Sequence, residues 1–120
     1  MDDTTNNNML GQTDEEIINH EQFEDMRDLL EEDFVDLIQV YFSDSKQRVA
    51  ALRIAHQKDD NANALKGASA NLGTTQLVRL SSQLQEYCRE RRINEQAVLI
   101  EEIAIALHRA EQEINQRLGQ

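Results

Sequence analysis

Residues 61–73 read NANALKGASANLG, a run of small residues around one lysine and two glycines. On a helix, Asn63, Lys66, Gly67 and Ala70 share one face, while Leu65, Ser69 and Leu72 fall on another. The first face offers a single cation with very little bulk around it. A glycine inside a helix costs about 1 kcal/mol relative to alanine, so Gly67 calls for a reason. One reason is close packing against a neighbouring helix. The other is a surface that a partner's backbone must approach closely, with Lys66 ready for an anion.

The remaining chemistry-bearing side chains are scattered. His20, His56 and His108 fall in different segments, with no HExxH or His–carboxylate spacing around them, whereas zinc needs three or four converging ligands. Structural or surface roles are expected for His20 and His108. Cys88 lies on an apolar stripe and reads as a packed thiol rather than a nucleophile. There is neither a GxxxxGK[ST] loop nor a GxSxG elbow. The pairs Glu15–Glu16, Glu31–Glu32 and Glu101–Glu102 read as solvated faces. No metal, no cofactor and no enzyme pocket are expected.

The elements that must position the Lys66 face read as helices throughout. The chain has no proline, and its four glycines are Gly11, Gly67, Gly73 and Gly119. Residues 1–12 are expected to be an acidic, polar disordered tail, residues 13–118 the folded bundle, and 119–120 its end. Thr13 with Glu16, or Asn19 with Gln22, has the spacing of a capping box. Either starts a short first helix carrying Phe23, Met26, Leu29 and Leu30. A long second helix carries Phe34, Leu37, Ile38, Tyr41, Val49 and Leu52, with Asp44 a candidate kink. KDDNAN at 58–63 has the composition of a turn. The third helix then runs to Gly73, a C′ glycine. Thr74 or Thr75 caps the fourth, with Leu77, Leu80, Leu84 and Cys88 inside. Asn94 caps the last, whose stripe is Ile100, Ile103, Leu107, Ala110, Ile114 and Leu118. The fold class expected is all-α, an antiparallel up-down four-helix bundle with a short N-terminal helix across one end.

Charge and hydropathy exclude several classes of function. The net charge is −11, and 14 of the 23 acidic side chains fall in residues 1–44 beside one basic residue, Arg27. That balance argues against nucleic acid, whose phosphates reward clustered cations. RERR at 89–92 is the one basic cluster and reads as cations at a helix C-terminus. No apolar run approaches the roughly 18 residues of a membrane span, and the start lacks the pattern of a signal peptide. One cysteine fits a reducing compartment, so a cytoplasmic monomer is expected.

The stretch ALKGASANLGTTQLVRLSSQLQE resembles the signature of histidine-phosphotransfer (HPt) domains, the carriers of two-component phosphorelays. Leu65, Lys66, Gly67, Ser69, Leu72, Gly73, Leu77, Leu80, Gln83 and Leu84 fit the family pattern, with Gln85 where glutamate is common. Upstream, residues 18–55 are similar to the family's first two helices, so the resemblance covers about 19–118. It implies an up-down helical bundle. It also implies a solvent-exposed histidine that exchanges a phosphoryl group with an aspartate in the receiver domain of a response regulator or hybrid sensor kinase. The lysine three residues on steadies the phosphate, and the glycine four residues on clears room for the receiver. Transfer of this kind is mostly positioning and electrostatics.

Counting back from Lys66, the histidine slot holds Asn63. An amide nitrogen is delocalised into its carbonyl and is no nucleophile. In the family, more residues separate the preceding turn from Leu-Lys-Gly and end in Ala-His; here Asp60 stands three positions before Asn63. The pattern reads as a segment lost between Asn63 and Ala64, with the hairpin shortened by about a turn and residues 56–66 irregular. One alternative acceptor, His56, would share a face with Asn63, about 10.5 Å away, only if residues 47–72 formed one helix. The resulting expectation is a domain that docks receivers through Lys66, Gly67 and Ala70 without transferring. The alternative is a helical adaptor unrelated to phosphorelay, in which Gly67 merely packs under a neighbouring helix.

Overall fold

The computed structural model describes residues 15–119. The proposed tail 1–12 and the Thr13 cap lie outside the described residues. Among the described residues five helices follow one another: α1 (His20–Leu30), α2 (Asp33–Arg53), α3 (Lys58–Leu72), α4 (Thr75–Arg89) and α5 (Ile93–Leu118). Helices α2 to α5 pack in a closed cycle, each against the next and α5 back against α2, while α1 lies on α2 and α3. This is the all-α up-down bundle with a short N-terminal helix that the apolar spacing predicts.

The core is the set of stripes read from three- and four-residue spacing. Ile38, Val49 and Leu52 of α2, Leu65 and Leu72 of α3, and Leu77, Leu80 and Leu84 of α4 are buried. They meet Leu99, Ile103, Leu107, Ala110 and Ile114 of α5 in one cluster. Burying a large aliphatic side chain contributes about 1.5–3 kcal/mol, which is why these stripes choose the fold. At one end, Phe23 of α1 meets Phe34 of α2 edge to face, with ring centroids 5.1 Å apart.

Asn19 caps α1, its Oδ1 accepting from the Gln22 backbone N–H at 2.8 Å. The capping box is only half made, because the Gln22 side chain is used elsewhere. Its Nε2 donates to the carbonyls of Ala70 (2.6 Å) and Asn71 (3.2 Å) at the end of α3. The Asn19 N–H donates to the Gly73 carbonyl at 2.7 Å. Gly73 itself ends α3 with φ +94°, the left-handed conformation that glycine adopts freely. A Cβ there would press on the Gln22 side chain at 3.3 Å.

Four local readings are corrected. KDDNAN is not a turn: α3 is regular from Lys58, with Asp59 and Asp60 in its first turn, where carboxylates favour a helix N-terminus. The turn lies earlier, at residues 54–57, and α3 is not irregular across 58–66. Asp44 does not interrupt α2 and instead accepts from Arg48 Nε at 2.8 Å, an i,i+4 pair. Leu37 is surface-exposed rather than core, and Phe42 is buried in α2. Thr74 stands at the N-cap of α4 as expected but makes no side-chain capping bond, and Asn94 is not the cap of α5. The Thr74 hydroxyl turns inward to Tyr41, and α5 starts one residue before Asn94, at Ile93.

Candidate functional site

The face read from the sequence is formed on α3. Asn63, Gly67 and Ala70 are exposed and Lys66 is half-buried, while Leu65, Ser69 and Leu72 behind them are buried. A Cβ built on Gly67 meets nothing within 4 Å. Gly67 therefore does not let a neighbouring helix approach, and the packing account of this glycine fails. What its missing side chain leaves open is solvent-facing space.

The supports of this face come from three other helices. From α4, Gln85 Nε2 donates to Asn63 Oδ1 at 3.3 Å. From α1, Gln22 holds the Ala70 carbonyl. From α2, the buried Tyr41 hydroxyl lies 2.7 Å from Ser69 Oγ and 2.9 Å from Thr74 Oγ1. Burial pushes the Tyr41 phenol above its ordinary range, so it stays a neutral hydroxyl that can both donate and accept. The Thr74 hydroxyl is also 3.3 Å from the Ser69 carbonyl. These bonds fix the rotation and end of α3 and so the direction in which its outer face points.

Lys66 takes part in no ion pair among the described residues. By contrast, Lys46 pairs with Glu111, Arg48 with Asp44, Arg53 with Glu101 and Arg79 with Glu15. An unpaired ammonium beside open space is available to an incoming anion. Beside this face runs an apolar groove of about 490 Å³ between α1, α2 and α3. It is lined by Met26, Leu30, Leu37, Val40, Ala68 and Leu72, with Asp44 and Asn71 at its edge. The sequence reading missed this groove. Val40, 65% exposed, is an apolar groove residue that the core stripe of α2 does not account for.

The other candidates are not brought to the site. His56 sits exposed in the turn between α2 and α3, so no helix spans 47–72 and it does not share the face of Asn63. His20 meets Arg117 NH1 through Nδ1 at 2.8 Å, and His108 is exposed on α5. Cys88 is half-buried, with its thiol raised chiefly by burial and further by Asp59, which disfavours the reactive thiolate. Among the described residues no three His, Cys, Asp or Glu side chains converge to hold a metal. No helix among them is long and apolar enough to cross a membrane.

A comparison with protein families matches the Hpt domain over residues 19–113. The chain belongs to the Hpt domain family. Comparison with curated proteins and with solved structures found no match. Hpt domains are phosphocarrier modules that interact with receiver domains in phosphorelays, so this Hpt domain has a phosphorelay-related role.

Proposed function

We propose that this Hpt domain docks a receiver domain on the face formed by Asn63, Lys66, Gly67 and Ala70, and that it does so without accepting a phosphoryl group. The open space over Gly67 carries the reading: a mid-helix glycine that packs against nothing in its own chain leaves room for another one. Lys66 supplies the charge for a receiver's acidic phosphorylation pocket. The apolar groove alongside supplies contact area of the kind that forms the centre of interfaces. Asn63 stands where the phosphoacceptor belongs, and its amide has no basic lone pair to attack phosphorus. Docking without transfer makes the domain a competitor for receivers rather than a relay, in the cytoplasm where such receivers work.

The experiment is a binding titration of the purified chain with a panel of receiver domains, wild type against Lys66→Glu. Charge reversal is expected to weaken binding about tenfold, on the order of 1.4 kcal/mol. A receiver that binds both forms equally well would move the interface away from α3. In the same assay, a phosphorylated receiver is expected to leave no acid-labile phosphate on the chain. Phosphohistidine at His56 would overturn the assignment of Asn63 as the acceptor position.

A further inference from the structure

The turn between α2 and α3 joins two long antiparallel helices through Ile54, Ala55, His56 and Gln57. Two of these four hold positive φ: Ala55 at 59° and Gln57 at 45°. Neither is glycine or asparagine, and side chains with a Cβ rarely adopt this conformation. The turns after α1 and α4 each contain one such residue, Glu31 and Arg91, and only this turn contains two. It holds no glycine or proline, so its local preference runs towards continued helix and against the reversal that the bundle imposes. Gln57, at the N-cap of α3, makes no side-chain capping bond.

Backbone bonds from Ala55 N–H to the Leu52 carbonyl (3.0 Å) and from His56 N–H to the Ala51 carbonyl (2.9 Å) close the end of α2. One buried side chain joins the turn to both helices. Asn61 is 8% exposed. Its Nδ2 donates to the carbonyls of His56 (2.8 Å) and Gln57 (3.1 Å), and its Oδ1 accepts from Arg48 NH1 of α2 at 3.2 Å. Asn61 thus ties both helices to the turn. At the tip, Ile54 is 76% exposed and has no apolar cover.

We propose that this turn is a hinge and that the chain forms a swapped dimer with a second copy of itself. In the dimer, residues 54–57 straighten, α2 and α3 become one helix from Asp33 to Leu72, and α1–α2 of each copy pack on α3–α5 of the other. The core contacts between α1–α2 and α3–α5 are remade between chains, while those within each unit stay in one chain. The two residues at positive φ relax, and the hinges cross about a two-fold axis where each Ile54 covers the other. The inference is independent of receiver docking, since the α3 face is kept in both forms.

The test uses the full chain, refolded from denaturant at low and high protein concentration and sized by light scattering after gel filtration. A dimer is expected to grow with refolding concentration and to persist on dilution. Ala55→Gly with Gln57→Gly, which removes the strain, is expected to lower the dimer fraction several-fold. Asn61→Leu, which removes the clip, is expected to raise it. If Asn61→Leu fails to fold, the glycine pair and a distance measurement decide. Labels replace Gln39 and Asn71 in a Cys88→Ala background, mixed with excess unlabelled chain. In the monomer these positions flank the Tyr41–Ser69 contact that joins α2 to α3, and in the swapped form they lie about 48 Å apart along one straight helix. A chain that stays monomeric at all concentrations overturns the proposal, as does a dimer keeping the short distance or one unaffected by the glycines.

Discussion

The side-chain amide of Gln85 donates to Asn63 Oδ1 at 3.3 Å, linking α4 to the outer face of α3. This contact orients the Asn63 side chain. With asparagine there, the contact joins two amides and neither is a nucleophile. With histidine there, Gln85 is positioned to hold one ring nitrogen while the other faces solvent beside Lys66. Asn63→His is therefore expected to gain acid-labile phosphate from a phosphorylated receiver, and wild type is expected to gain none. Adding Lys66→Ala to that variant should cut the transfer rate about tenfold, because a transition state rich in negative charge loses the Lys66 ammonium on the same face. A single-turnover assay with radiolabelled receiver reads both effects.

Gly67 separates stability from docking. Because nothing lies within 4 Å of a Cβ at this position, Gly67→Ala meets no steric penalty and gains helix propensity. It should stabilise the fold by about 0.5–1 kcal/mol, a few degrees in Tm. Gly67→Arg should fold equally well, yet abolish receiver binding by filling the cleared space. Calorimetry and a binding titration on the same two variants give the split. If Gly67→Arg binds like wild type, the open space serves no partner.

Tyr41 ties the buried side of α3 in place, and its hydroxyl has defined partners in Ser69 and Thr74. Tyr41→Phe keeps the ring packed but leaves Ser69 Oγ buried without that bond. The expected cost is about 1–2 kcal/mol in urea unfolding, with an unchanged m-value. A neutral result would mean that the hydroxyls find each other or water once the phenol is gone.

The helical stripes were legible because burial selects apolar residues at a fixed period, and Leu65, Leu77, Ile103 and Ile114 follow it without exception. The face of Lys66 and Gly67 was legible for the same reason, since its neighbours Leu65, Ser69 and Leu72 mark the side that turns inward. Local chemistry was less decisive. KDDNAN suits a turn and the first turn of a helix equally, and the true reversal fell on IAHQ, which carries no turn residues at all. Leu37 sits on the α2 stripe by period, yet it lines the open groove between α1, α2 and α3 rather than the core. The bonds from Gln22 to Ala70, Gln85 to Asn63 and Tyr41 to Thr74 join residues remote in sequence. No spacing rule contains them.

In the segment before α1, Glu15 makes a pH-dependent contribution to stability whose sign follows from its partners. Its carboxylate accepts from the Arg79 guanidinium on α4 through Nε and NH2, and from Gln76 Nε2 at 3.3 Å. The Arg79 hydrogen bonds hold its pKa below the usual carboxylate range, against a smaller opposing effect of burial. A carboxylate depressed in the folded state binds fewer protons than in the unfolded chain, so stability rises with pH through the window between the two values. The contribution is complete above the unfolded value of about 4.3 and is lost as pH falls through the lower folded value. Arg79 is about half exposed, at 53%, so solvent and salt limit the effect to at most about 1 kcal/mol. Glu15→Gln should therefore unfold more easily than wild type at pH 7. The gap should narrow in added salt and close below the folded value, as urea titrations across pH would show. A gap independent of pH would assign the effect of Glu15 to packing rather than charge.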